Sequence, residues 1–120
     1  MKYLLMIYGN REKWESMAAE AWPDAIARQE AFNAMYRETG ELLGAYGLAD
    51  AARARLVRRV DGLPAVTDGP YLETKEYLAS FWLLECDSEE RAQQIAADMP
   101  FADAGPVEVW PVLHEFAGDQ

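Results

Sequence analysis

The pattern of apolar and polar positions divides the chain into short strands and two helices. Residues 2–8 are apolar on both alternating sets, Tyr3/Leu5/Ile7 and Leu4/Met6/Tyr8. A strand apolar on both sides belongs in the middle of a sheet with both faces covered. Residues 77–86, from Tyr77 to Cys86, have the same two-sided character and are rich in strand-favouring aromatic residues. The two strands are expected side by side. Residues 107–112, Val107-Glu108-Val109-Trp110-Pro111-Val112, alternate more cleanly, and Pro111 restricts them to an edge or a strand end.

Two helices separate these strands. The first is predicted from Pro23 or Asp24 to Thr39, with Phe32, Met35 and Tyr36 on one apolar face, Arg28, Glu30 and Arg37 opposite, and Gly40 as the stop. Residues 12–21 predict a further helical turn ahead of it. The second helix is predicted to begin at Asp87, where Asp87 and Glu90 have capping-box spacing. It continues through Ala92, Ile95, Ala96 and Met99 until Pro100 ends it. Between the helices, residues 41–46 and 54–60 read as strands, and Asp61-Gly62 is a hairpin turn leading into residues 63–67. The fold class is therefore α+β: a βαββαβ, ferredoxin-like order with a four-stranded antiparallel sheet, two helices on one face and a small hairpin extension. Two helices cover one face only, while the first strand and that of residues 77–86 are apolar on both. A second copy is the simplest cover for the other face, so a homodimer is expected.

With 120 residues the chain is one domain, residues 1–120. Its 21 acidic against 11 basic side chains give a formal charge of −10, which repels polyanions and argues against direct nucleic-acid binding. The local exception is Arg53, Arg55, Arg58 and Arg59. No apolar run reaches the roughly 20 residues a spanning helix needs, so no membrane association is expected. The first strand is followed by Gly9-Asn10-Arg11-Glu12-Lys13 instead of a small-residue cleavage site, which predicts an uncleaved, cytoplasmic chain. Cys86 is the single cysteine, so no internal disulfide forms, and its apolar surroundings predict a small core residue. No His/Cys/carboxylate spacing resembles a ligand set, and neither a metal nor a cofactor is expected.

The segment Val66-Thr67-Asp68-Gly69-Pro70-Tyr71-Leu72-Glu73-Thr74-Lys75-Glu76 closely resembles the signature of the DGPF-motif group of the YCII-related family, with Tyr71 in place of the usual Phe. The opening residues 1–9 and the ending residues 107–112 also resemble that family's ends, where Arg commonly replaces Trp110. The resemblance implies a dimeric α/β-barrel relative of the ferredoxin fold. It also implies an association of some members with extracytoplasmic-function sigma factors, a third class of partner to weigh. Catalytic members of the family are thought to use a His-Asp pair with the histidine on or near the first helix. The only histidine here, His114, lies near the C-terminus, so that activity does not carry over.

Physically, Asp68-Gly69-Pro70 is a turn: Asp bonds nearby amides, Gly is free to take φ > 0, and Pro fixes the next φ. Such a turn between strands is also a place where polar groups meet an apolar pocket. The candidate site residues are Asp68 and Lys75 as catalytic groups, and Tyr8, Asp68, Tyr71, Glu73, Lys75, Arg55 and Trp82 as ligand-binding groups beside Phe81. The competing reading makes the arginines a solvated outer strand and the aromatics core. Trp14, Trp22 and Trp110 read as packing or interface residues. Three functions stay open: a small-organic-ligand binder, a cofactor-independent enzyme on a small aromatic or carbonyl substrate, and a regulatory partner of a sigma factor.

Overall fold

The computed structural model describes residues 1–69 and 76–116, the Arg11 side chain excepted. In chain order the elements are β1 (Lys2–Gly9), α1 (Arg11–Glu15), α2 (Ala21–Glu38), β2 (Leu42–Gly47), β3 (Arg55–Val60), β4 (Leu63–Asp68), β5 (Tyr77–Glu85), α3 (Glu89–Ala97) and β6 (Glu108–Pro111). Short 3-10 turns at Ala51–Arg53 and Pro100–Asp103 complete them. Strands β2, β5, β1 and β6 form one antiparallel sheet in that spatial order, and β3 and β4 form a separate two-stranded hairpin. Setting aside the hairpin and the short α1 leaves β1-α2-β2-β5-α3-β6, the ferredoxin-like order. As expected, β1 pairs with β5 in the centre, and Pro111 lies in the edge strand β6.

The helices lie on the face presented by Tyr3, Leu5 and Ile7 of β1 and Trp82 and Leu84 of β5. These side chains are buried together with Phe32 and Tyr36 of α2, Ala92, Ile95 and Ala96 of α3, and Met99 and Cys86. Burial pushes the Cys86 thiol pKa up, so it behaves as an inert small apolar group. Trp82 donates its indole N–H to Asn33 Oδ1 at 3.0 Å, which ties β5 to α2. Arg91 of α3 grips Glu41, just ahead of β2, with two hydrogen bonds of 2.8 Å, and this pairing holds the Glu41 carboxyl below its usual range. The Tyr36 hydroxyl donates to Asp98, and burial followed by that bond pushes the phenol up to about 12.

Three local expectations change. Met35 is 50% exposed, because α2 buries only Phe32 and Tyr36 fully and turns Met35 outward. The cap of α3 is Ser88, whose side chain accepts from Arg91 N at 3.1 Å; Asp87 stands one residue too early to reach that amide. Helix α2 begins at Ala21, with Pro23 inside the first turn, where its missing N–H costs nothing. Gly40, at φ +84°, ends α2 as the sequence predicts. Asp61 (φ +51°) and Gly62 (φ +80°) both take left-handed conformations, the geometry of a type I′ hairpin turn.

On the other face of the sheet the register places Leu4 between Leu83 and Trp110, Met6 beside Phe81, Tyr8 opposite Leu78, and Tyr46 opposite Phe81. Tyr46 and Phe81 stack at 5.0 Å. No described helix covers this face.

Candidate functional site

At one end of the sheet, β1 stops at Gly9 while β5 starts at Tyr77. The pairing of these strands slips there: Ile7 faces Ser80, but Tyr8 faces Leu78. Ala79 is the extra residue, and it packs against the core. A bulge of this kind bends the strand and re-aims its side chains, which opens room beside the strand end. The segment following β2 crosses this end, held by Leu48 N donating to Ala79 O at 2.9 Å. Asp50 caps its 3-10 turn by accepting from Ala52 N at 2.9 Å.

Two cavities flank that segment. The larger, about 620 Å³, is lined by the aromatic Trp14, Trp22 and Tyr77 and by Gly9, Asn10 and Ser80 among others. The smaller, about 500 Å³, is lined by Tyr8, Arg53, Ala54 and Glu76 and shares Tyr77, Leu78 and residues 48–51 with the first. Both volumes suit a small organic molecule. Asn10 starts α1 by accepting from Lys13 N at 2.7 Å, which puts Trp14 one helical turn beyond the strand end. The indole then folds back over β1: a Cβ on Gly9 would stand 2.1 Å from Trp14 Cζ2. Trp14 also meets Phe101 at 6.4 Å between ring centroids.

The structure brings together only part of the residue set expected from sequence. Tyr8 lines the smaller cavity; its hydroxyl lies 3.4 Å from Met6 Sδ, and burial, then Glu108, raises its pKa so that it stays a neutral phenol. Arg55 and Asp68 pair across the foot of the β3–β4 hairpin at 3.9 Å, with the Asp68 side chain 96% exposed, and neither lines a cavity. Arg55 otherwise donates to the carbonyls of Ala52 and Ala54. Trp82 is buried under α2, whereas Phe81, its neighbour in an alternating strand, faces the opposite side. The two therefore cannot line one pocket together, and Trp82 is a core residue. Tyr71, Glu73 and Lys75 lie outside the described residues; Glu76, immediately after them, lines the smaller cavity. Exposed His114 lines neither cavity. Among the described residues no group of three or more His, Cys, Asp or Glu could hold a metal ion, and no helix is long and apolar enough to cross a membrane. Trp14 and Trp22, read from sequence as packing residues, are the walls that reading missed. The Gly9-Asn10 pair, a strand end followed by a helix cap, is the signal that places Trp14 there.

The family model of the YCII-related domain matches residues 1–116. The chain belongs to the YCII-related family. A relative in the same family is the uncharacterised protein R00369 of Rhizobium meliloti (strain 1021), 30% identical over 114 residues, covering 93% of this chain and 92% of that one. Among solved structures the fold is similar to the 5-chloro-2-hydroxyhydroquinone dehydrochlorinase TftG from Burkholderia phenoliruptrix AC1100, in complex with 2,5-dihydroxybenzoquinone. That match has a TM-score of 0.51 at 13% identity over 96% of each chain, and it shows the shared fold.

Proposed function

We propose that this YCII-related protein binds a small planar ring compound, of the phenol or quinone class, in the aromatic-walled cavity at the sheet end. It acts as a homodimer in the cytoplasm, and we assign it to the DGPF-motif group on the strength of residues 66–76. The carrying observation is the larger cavity: about 620 Å³, lined by Trp14, Trp22 and Tyr77 together with the polar Asn10 and Ser80. Flat aromatic walls favour a flat ligand, and the few polar groups orient it. The quinone held by the dehydrochlorinase of the same fold supports the class. The apolar sheet face without a helical cover supports the dimer.

The test is titration of the purified chain with 2,5-dihydroxybenzoquinone and a panel of phenols, read by tryptophan fluorescence and calorimetry. Saturable binding that Trp14→Ala weakens about tenfold or more supports the reading. Binding indifferent to Trp14→Ala and Trp22→Ala, or none across the panel at millimolar concentration, refutes it.

An enzymatic version is favoured by one observation, the catalytic nature of the relative of shared fold. Its candidate proton-transfer groups are Lys75 of the motif and Asp68, which is exposed at the hairpin foot. Turnover unaltered by both Asp68→Asn and Lys75→Ala would remove that version and leave the binding reading standing.

A further inference from the structure

Among the described residues the β3–β4 hairpin is held only at its foot, where Arg55 donates to the Ala52 carbonyl and Gly69 N to Ala54 O, and its strands pair only with each other. Of their 12 residues only Leu56 and Ala65 are even partly covered. Val57, Val60, Leu63 and Val66 are between 53% and 70% exposed. An isolated two-stranded hairpin is marginal in water, and exposed apolar groups of this density mark a contact surface. The shape agrees: the radius of gyration is 16.7 Å, against about 14 Å for a compact domain of this length.

The hairpin and the rest of the chain also differ in charge. From Arg53 to Asp68 there are four arginines and two aspartates, a positive segment on a chain whose net charge is −10. The remainder is therefore more acidic than the whole. A second copy offers both things that the hairpin lacks: an uncovered apolar sheet face and an acidic body around it. Area points the same way. Four strands about 4.8 Å apart and roughly 17 Å long present on the order of 300 Å² in projection. A stable pair buries about 800 Å² per partner, so the sheet face alone falls short. A hairpin of about 20 by 10 Å adds on the order of 200 Å² per face, contributed by each copy.

We propose that β3–β4 is a docking arm that lies on the second copy, exchanged reciprocally about a two-fold axis. Val60 and Leu63, paired at the tip on the same side as Arg58, supply the apolar contact and Arg58 meets the partner's acidic surface, while Val57, Val66 and Arg59 face the other side of the hairpin. The proposal rests on the dimer reading, and its test separates the two. A photoreactive p-benzoylphenylalanine at Leu63, in a mixture of tagged and untagged chains, should give crosslinks between chains, mapped by mass spectrometry to the partner's body. Amide exchange at residues 56–67 should quicken as the protein is diluted into monomers, while that of β1 and β5 holds. Arg58→Glu should raise the dimer Kd about tenfold or more, with the effect shrinking in high salt. Crosslinks confined to one chain, or to a foreign protein, overturn the arm. So does concentration-independent exchange at residues 56–67 in a chain that dimerises. A wild type that stays monomeric at millimolar concentration overturns the dimer and the arm together.

Discussion

Gly9 is the residue on which the candidate site most directly depends, and Gly9→Ala tests that dependence. Gly9 does not take a left-handed conformation. Its requirement is space: a methyl there would stand 2.1 Å from Trp14 Cζ2, 2.6 Å from Cε2 and 2.9 Å from Cη2. Carbon atoms in contact sit about 3.5–4.0 Å apart, so the indole must retreat by roughly 1.5 Å. Phe101 packs against the indole at 6.4 Å between ring centroids, with the Lys13 ammonium over the Phe101 ring at 4.7 Å, which limits the room for a retreat. Overpacking of this kind costs about 1–3 kcal/mol. With unfolding entropy of about 0.25 kcal/mol/K for this length, Tm should fall by roughly 4–12 °C. Affinity for a ring ligand should fall with it, because Trp14 is a wall of the cavity. The assay combines thermal unfolding, near-UV circular dichroism and ligand titration of Gly9→Ala, Trp14→Ala and the double variant. If the methyl acts through the indole, the double variant should be less destabilised than the sum of the singles by about 1 kcal/mol or more. A Gly9→Ala protein with Tm unchanged to within about 1 °C and an unaltered aromatic spectrum refutes the reasoning.

Two further predictions concern the framework. The Tyr36 phenol is raised to about 12 from 10.0. Between those pH values the unfolded chain loses the proton first, so stability falls as pH rises from about 10 to 12, by on the order of 2–3 kcal/mol, and is fully present below 10. Urea midpoints across pH 9–12 should show that slope, and Tyr36→Phe should make it shallower, with Tyr3 and Tyr8, whose phenols are also raised, supplying the remainder; equal slopes in both proteins would exclude Tyr36 as a source. At the start of α3, Ser88→Ala should cost about 1 kcal/mol while Asp87→Ala costs almost nothing. Urea denaturation distinguishes the two, and the reverse ranking would return the cap to Asp87.

The elements whose energetics are local were legible in the sequence. Tyr3, Leu5 and Ile7 alternate with Leu4, Met6 and Tyr8, and that pattern alone placed β1 in the sheet centre. Asp61-Gly62 specified a turn needing two positive φ angles, and Pro111 fixed an edge. What escaped was decided by neighbours distant in sequence or by a single residue of register. Met35 has the spacing of a core residue, but α2 sits where Phe32 and Tyr36 fill the contact with the sheet. Asp87 and Ser88 are both good caps, and only the backbone's entry angle selects Ser88. The site was half legible for the same reason. Tyr8 was placed from the end of its strand, whereas the bulge at Ala79 carries no sequence signature and decides which side chains meet there. Trp14 and Trp22 lie 50 residues or more from Tyr77 and Ser80, and only the sheet brings them together.

The hairpin and part of the wall of each cavity come from one long insertion between β2 and β5. A minimal βαββαβ chain joins its two middle strands by a short connection, whereas here residues 48–76 intervene between β2 and β5. The first part of that insertion, Leu48 to Ala52, walls the larger cavity, and Arg53 and Ala54 at the hairpin foot wall the smaller one. The base is closed by Gly69 N donating to Ala54 O at 3.0 Å, with the Gly69 Cα so close that a Cβ would meet the Ala54 and Arg55 carbonyl carbons at 3.2 Å. Any force that fixes the arm therefore acts on residues adjoining the ligand space. If the arm docks on a second copy, binding and association share these wall residues, and each should strengthen the other by the same factor. A ligand that leaves the dimer Kd unchanged would show that the cavity walls are rigid without the arm.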